Sequence, residues 1–173
     1  PETWNIVHPD ILTEIHREYL DAGCDIVLAN TFGANRLKYN EQTQYGLEEI
    51  VSAGVRNARK AVEAAGHGWV ALDIGPTGKL LKPMGDLDFE SAVSIFREIV
   101  EIGVREGADL ILIETMSDTY ELKAAVLAAR ENSRLPVLAT VIFDERGKLL
   151  TGATPKAVVA LLEGLRVDGL GIN

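Results

Sequence analysis

Five short apolar runs, each preceded by an amphipathic helical pattern, constrain the fold of this chain more than any other feature. The runs are Asp25–Ala29, Trp69–Leu72, Asp109–Ile113, Pro136–Ile142 and Asp168–Ile172. They are continuous rather than alternating, which is typical of parallel strands covered on both faces. Their ends stand about 28 to 44 residues apart, a spacing that indicates β/α units in which each helix connects two parallel strands.

The helical patterns have recognisable ends. They cover about residues 9–22, 42–65, 88–106, 118–132 and 155–164. Thr154 and Pro155 offer an N-cap followed by proline at the first helical position, and Gly23, Gly66 and Gly107 follow three of the helices directly before a strand. An α/β protein is therefore predicted. Periodicity alone leaves an open doubly wound sheet and a closed barrel as alternatives.

Length, charge and cysteine content bound the class of protein. With 173 residues, of which 47% are hydrophobic, the chain suits one core, so we expect a single domain over 1–173. The net charge of −9 argues against a nucleic acid or an anionic membrane as partner. No run reaches the length of a membrane span and no signal-peptide pattern opens the sequence. The single Cys24 excludes an internal disulfide and favours a cytoplasmic location.

Polar side chains stand where the predicted strands finish, which is where α/β proteins collect their binding groups. They are Asn30, Thr31, Asp73, Glu114, Thr115, Asp144 and Asn173, and such a set is suited to a small zwitterion. Glu114 directly follows four apolar residues, where a carboxylate is costly unless it meets a cation or hydrogen-bond donors. Two interpretations remain open from position alone: Glu114 contacts a substrate, or it pairs with a neighbouring Arg or Lys.

Several blocks of residues carry a resemblance to a known family. The blocks are Ala29–Asn35, Asp73–Gly78, Ile113–Asp118 and Gly171–Asn173, preceded by Pro1, Glu2, Asn5 and His8–Asp10. Taken in order and with these gaps, the whole chain resembles the homocysteine S-methyltransferase family, and within it the amino-terminal homocysteine-binding domain of the cobalamin-dependent members. The resemblance implies a partial (β/α)8 barrel of the TIM type that contains about strands 2 to 6 of the eight.

The resemblance also implies the activity and the site residues. A parent enzyme of this kind transfers a methyl group to homocysteine at the carboxyl face of the barrel. It uses zinc to activate the thiol and methylcobalamin as donor, and folate and cobalamin domains lie elsewhere in the larger chain. By position, Glu114 matches the carboxylate that contacts the homocysteine amino group, and Asn30 and Thr31 match residues near the substrate. Asn173 matches the residue before the first zinc cysteine, and Asp73 lies at the same face, so all five are candidate substrate-binding residues.

This sequence departs from the family pattern at both ends. The family's zinc cysteines follow the Gly-x-Asn motif, whereas the sequence stops at Asn173, and the first strand is missing too. We therefore expect no catalytic or metal-ligating residue in 1–173, no bound cofactor and no activity of this chain alone. Two alternatives stay open: a non-catalytic barrel segment that self-associates through exposed strand edges, and a parent enzyme that uses a different methyl donor.

Three other features of the sequence, a glycine-containing loop, the histidines and the cysteine, are weaker indications of function. Gly75–Lys79 suggests a phosphate loop, but Asp73 and Leu80 stand where that motif needs glycine and a hydroxyl residue. The three histidines, His8, His16 and His67, have no partners at metal-ligand spacing, so surface or capping positions are predicted for them. Cys24 is predicted to be a small buried hydrophobe at the amino end of its strand.

Overall fold

The computed structural model describes residues 1–173 and contains six helices and five strands. The helices are α1 (Trp4–Val7), α2 (Pro9–Asp21), α3 (Leu47–Ala65), α4 (Phe89–Arg105), α5 (Thr119–Asn132) and α6 (Pro155–Gly164). The strands are β1 (Ile26–Leu28), β2 (Trp69–Ile74), β3 (Leu110–Met116), β4 (Val137–Val141) and β5 (Gly169–Ile172). All five predicted strands are present, and each of the five predicted helices is found close to its expected range.

Two helical details differ from the prediction. The short helix α1 was not foreseen, because four residues are too few to show a periodic pattern. Helix α3 begins at Leu47 rather than near 42, since Thr43 closes a turn by donating its hydroxyl hydrogen to the carbonyl oxygen of Asn40. The helix begins after Gly46, whose N–H donates to the Glu49 carboxylate at 2.9 Å and so satisfies one of the unpaired groups at the helix start.

The sheet has the topology of a barrel wall. Its five strands are parallel and lie in sequential order, β1-β2-β3-β4-β5. A doubly wound sheet would reverse its strand order partway, so the barrel-type prediction is confirmed and the open-sheet alternative is excluded. Consecutive helices from α2 to α6 pack against one another, which places them side by side as one layer beside the sheet.

The core lies between the sheet and this helical layer. Leu72 of β2 packs into the space left by Gly103 of α4, where an added Cβ would lie 2.5 Å from the Leu72 side chain. Phe96 and Ile99 of the same helix are also fully buried, as is Ile111 of β3. Because successive side chains of a strand point to opposite faces, Asp73 points away from the helices, toward the inner face of the barrel wall.

The inner face and the outer strands are partly exposed. Ile26 and Leu28 of β1 retain 41% and 38% of their accessible surface, and Trp69 at the start of β2 retains 58%. At the other edge, Leu170 and Ile172 of β5 retain 48% and 71%. Each edge strand is paired on one side only, as expected of a barrel wall that does not close on itself. None of the helices combines the length and the apolar character that a membrane crossing requires.

The structure corrects the predicted environment of two side chains. His16 is not on the surface: it is 6% exposed, because its helix turns it toward β1. Cys24 is half-buried rather than fully buried, since it lies at an open groove beside the edge strand. His8 and His67 are exposed as predicted, and the His8 ring contacts the Trp4 ring edge to face at 4.8 Å.

Candidate functional site

The carboxyl ends of β2 and β3 bring two acidic side chains to the inner face of the sheet. Asp73 is paired with Leu112 in the parallel register, and Glu114 follows Leu112 by two residues, which places both carboxylates on the same face. They are close enough for the charge of Glu114 to perturb the pKa of Asp73. This pair is the centre of the candidate site.

The carboxyl group of Asp73 is buried without compensation. It is 6% exposed, and its Oδ1 atom has no hydrogen-bond partner. Burial chiefly, together with the negative charges of Glu114 and Glu2, raises the pKa of Asp73 to about 8. Near neutral pH, Asp73 is therefore largely protonated, and a cation placed beside it would favour its ionised form.

Glu114 is half-buried, and it forms no ion pair with any of the chain's cationic groups. Glu114 therefore does not pair with a neighbouring Arg or Lys, which was one of the two interpretations open from its position in the sequence. A carboxylate at the end of an apolar strand, beside a second carboxylate, retains its capacity to bind a cation from outside the chain.

An irregularity in β3 begins at Glu114. The register of β3 and β4 shifts between Ile113 and Met116, so that Glu114 and Thr115 together oppose Thr140. This is a β-bulge, which places an extra residue in one strand and redirects its side chains. Thr115 has φ 61°, a left-handed conformation that is rare for a β-branched residue.

Asn173 links the ends of three strands. Its Nδ2 atom donates to Thr115 Oγ1 at 2.7 Å, and its Oδ1 atom accepts from Thr140 Oγ1 at 2.9 Å. The Thr115 N–H donates to Thr140 Oγ1 at 3.2 Å and completes a ring of hydrogen bonds. Thr140 was not predicted to belong to the site, although a hydroxyl residue within an otherwise apolar strand was a usable signal.

Asn30 and Thr31, at the end of β1, are held by the chain itself. Asn30 Nδ2 donates to Asn5 Oδ1 at 2.9 Å and to the Pro1 carbonyl oxygen at 3.2 Å. Asn5 Nδ2 in turn donates to the Asn30 carbonyl oxygen at 2.8 Å. Thr31 is fully buried, and its hydroxyl donates to the Asp73 carbonyl oxygen at 2.7 Å. The structure therefore places Thr31 beneath the site surface and leaves the Asn30 Oδ1 atom as the free acceptor.

Glu2 is a second buried carboxylate near the site, but unlike Asp73 it is fully paired. It accepts hydrogen bonds from the Gly33 N–H at 2.9 Å, Lys38 Nζ at 2.8 Å and the Tyr39 hydroxyl at 2.8 Å. Burial alone would raise the pKa of Glu2, but the bonds from Lys38, the backbone and Tyr39 outweigh it and lower the pKa to about 2. Glu2 therefore stays ionised and fastens the start of the chain to the loop after β1.

A groove of about 510 Å³ runs between α2 and β1 and reaches Asp73. Most of its lining is apolar, including Leu12, Ile15 and Tyr19, and Asn30 and Asp73 supply polar groups. Asp144, the remaining strand-end carboxylate, lies apart from this groove. It accepts hydrogen bonds from the backbone N–H groups of Arg146 and Lys148 within its own loop.

The residues of this chain do not fit the zinc ion that the family resemblance implies. No group of three or more His, Cys, Asp or Glu side chains is arranged to hold a metal ion. Cys24, the single thiol, lies at the amino end of β1, at the opposite end of the strands from Asp73 and Glu114. The described side chains therefore supply no complete set of zinc ligands.

Comparison with known proteins gives one consistent result. A family model described as homocysteine S-methyltransferase matches residues 1–173. The methionine synthases of Mycobacterium tuberculosis and Mycobacterium leprae are 32% and 31% identical over 182 residues, which cover 99% of this chain. The chain spans 15% of the length of these curated relatives. The metallated form of the homocysteine methyltransferase MmuM from Escherichia coli superposes with a TM-score of 0.87 at 25% identity, over 99% of this chain and 65% of that one.

Proposed function

The chain belongs to the homocysteine S-methyltransferase family, and we propose that its acidic pair binds the ammonium group of homocysteine in a methionine synthase-like enzyme. The observation that carries the proposal is the pair Asp73 and Glu114. Two carboxylates lie at the carboxyl end of a barrel wall without a cation, and Asp73 Oδ1 is enclosed and unpaired. Natural barrels place their substrate sites at this end of the strands.

The charge of the substrate suits this arrangement. Homocysteine carries an ammonium group at neutral pH, and an ammonium between two carboxylates offsets both their mutual repulsion and the cost of burying Asp73. Binding then lowers the pKa of Asp73, so that its proton leaves as the cation arrives. The free Oδ1 atom of Asn30 lines the same groove and supplies a further acceptor.

The apolar part of the groove suits the remainder of the ligand. Homocysteine has two methylene groups and a sulfur atom beyond its amino-acid end, and the exposed side chains of Ile15, Ile26 and Leu28 offer them an apolar surface. These residues thus bind and orient the amino acid, and they do not generate its thiolate.

The methyl donor and the other domains are part of the same proposal. We take methylcobalamin as the donor and folate and cobalamin domains as partners, because the sequence motifs resemble those of the cobalamin-dependent members. A different donor is the alternative within the same family. Its test is single-turnover methylation of homocysteine by the protein at its natural length, with methylcobalamin supplied as the only methyl source.

Replacement of Glu114 tests the binding proposal. In the protein at its natural length, Glu114→Gln should weaken homocysteine binding by roughly tenfold to a hundredfold, because a charge-assisted hydrogen bond is lost. Isothermal titration calorimetry gives the affinity, and urea denaturation should show little change in the free energy of unfolding. Glu163→Gln, which removes the same charge from an exposed position on α6, is the matched control. Equal affinity of the Glu114 and Glu163 variants would remove the acidic pair from the substrate site.

A further inference from the structure

We propose that Asn173 is a positioning residue: it holds the bulge at Thr115 and thereby directs Glu114, and it acts on the substrate only through Glu114. This inference rests on the proposed function of the acidic pair and assigns a different role to Asn173 from the direct substrate contact that its place in the sequence suggested.

The first observation is that Thr115 needs external support. A residue with a branched Cβ avoids positive φ because the side chain then crowds the backbone, yet Thr115 has φ 61°. Such a conformation persists only where surrounding contacts hold it. Thr115 is also the residue directly after Glu114, so its backbone angles set the course of the chain that carries the carboxylate.

The second observation is the ring of hydrogen bonds around this residue. Thr115 is held at its hydroxyl by Asn173 and at its N–H by Thr140. Thr140 and Asn173 are joined to each other. The ring thus connects the ends of β3, β4 and β5, and each of its three side chains comes from a different strand or strand end.

The third observation concerns the state of the Asn173 amide. Its nitrogen already donates to Thr115 and its oxygen already accepts from Thr140, at 2.7 Å and 2.9 Å. These two bonds fix the orientation of the amide, so Asn173 already has a structural role within the protein. Glu114, by contrast, has no ion-pair partner, so it is the group of this neighbourhood that is available to a ligand.

Together these observations give the mechanism. If the ring is opened, Thr115 is free to return to an ordinary extended conformation, and the bulge is no longer enforced. Glu114 stays on the inner face by regular alternation from Leu112, but the peptide link that joins it to Thr115 would no longer be held in one orientation. The direction of the Glu114 carboxylate would then vary, and the ammonium site would lose the fixed alignment of Glu114 with Asp73.

The test is a double-mutant cycle with two ligands, measured by calorimetry on the protein at its natural length. The variants are Asn173→Ala, Glu114→Gln and the double variant, and the ligands are homocysteine and 4-mercaptobutyrate, which lacks the amino group. We expect Asn173→Ala to weaken homocysteine binding roughly fivefold to tenfold and to leave the binding of 4-mercaptobutyrate unchanged. In the Glu114→Gln background, Asn173→Ala should cause no further loss, because its effect passes through the carboxylate.

A second variant guards against a purely structural effect. Thr140→Val removes the hydroxyl that joins the ring, whereas Thr140→Ser keeps it, so only the valine variant should reproduce the loss seen with Asn173→Ala. Additive losses in the double variant, or equal losses with both ligands, would overturn the positioning role and leave the acidic pair intact as the ammonium site. An unchanged homocysteine affinity in Glu114→Gln alone would overturn the proposed function, and the positioning role with it.

Discussion

The buried carboxyl group of Asp73 makes the stability of this protein depend on pH in a direction opposite to that of most carboxylates. In the folded chain burial raises its pKa to about 8, from an ordinary value of 3.8. Between these two values the folded state retains a proton that the unfolded state has released. The free energy of unfolding therefore falls as pH rises, and this contribution is fully present only below the unfolded pKa.

The magnitude follows from one proton per molecule. A difference of one bound proton corresponds to a slope of about 1.4 kcal/mol per pH unit. From about pH 5 to about pH 7, the Asp73 carboxyl should therefore cost about 3 kcal/mol of stability, a large share of the total for an ordinary domain. Glu2 has the opposite effect on the pH dependence of stability, because its pKa is lowered to about 2 in the folded chain. Its contribution is lost only as the pH falls below 4.5, outside the range in which Asp73 is tested.

Asp73→Asn isolates this effect, since asparagine has nearly the same shape and does not ionise. Urea denaturation of both proteins, at several pH values between about 5 and 7, gives the difference in the free energy of unfolding. As the pH rises, the free energy of unfolding of Asp73→Asn should increase relative to that of the unmutated protein by about 1.4 kcal/mol per pH unit. Asp86→Asn, which changes an exposed carboxylate, is the control and should show no such trend. A difference between the Asp73 proteins that stays constant with pH would show that Asp73 titrates normally, and the account of an uncompensated buried carboxyl would fail.

Two further predictions concern packing and assembly. Gly103→Ala should lower the free energy of unfolding by about 1–3 kcal/mol, because its Cβ would lie 2.5 Å from the Leu72 side chain. Gly164→Ala, on a helix with nothing within 4 Å of the added Cβ, should be neutral or stabilising, and denaturation curves of the two variants check this contrast. Residues 1–173 alone should self-associate through the free edges of β1 and β5, as sedimentation would show. A monomer at micromolar concentration with a sharp melting transition would contradict that expectation.

The sequence was a good guide to the elements of the fold. Continuous apolar runs such as Leu110–Ile113 are hydrophobic on both faces and fit only a covered parallel strand, and Gly66 and Gly107 mark helix ends by a backbone conformation that glycine adopts easily. These signals depend on residues close together in the chain. The choice between a barrel and a doubly wound sheet depends on strand order, which periodicity does not contain. That choice came from the family resemblance, and the order of strands in the structure agrees with it.

The candidate site shows where sequence information ends. Position and motif were enough to bring Asp73 and Glu114 to the same face, because parallel strands finish at a common edge. The burial of Asp73 and His16, the bulge at Thr115 and the ring through Asn173 were not predictable in this way. Each depends on contacts between residues far apart in the chain, such as the 58 positions that separate Thr115 from Asn173.

The sequence by itself therefore determined which segments become strands and helices and which polar residues reach the carboxyl face. Local propensity and apolar patterning are properties of residues close together in the chain, so they can be recognised before the fold is known. Only the tertiary structure decided which of those polar groups are engaged and which are free: Thr31 and Asn173 are engaged in hydrogen bonds within the protein, whereas Asp73 and Glu114 face each other without a cation. Desolvation and charge proximity set that distinction, and both depend on which distant segments the fold brings together.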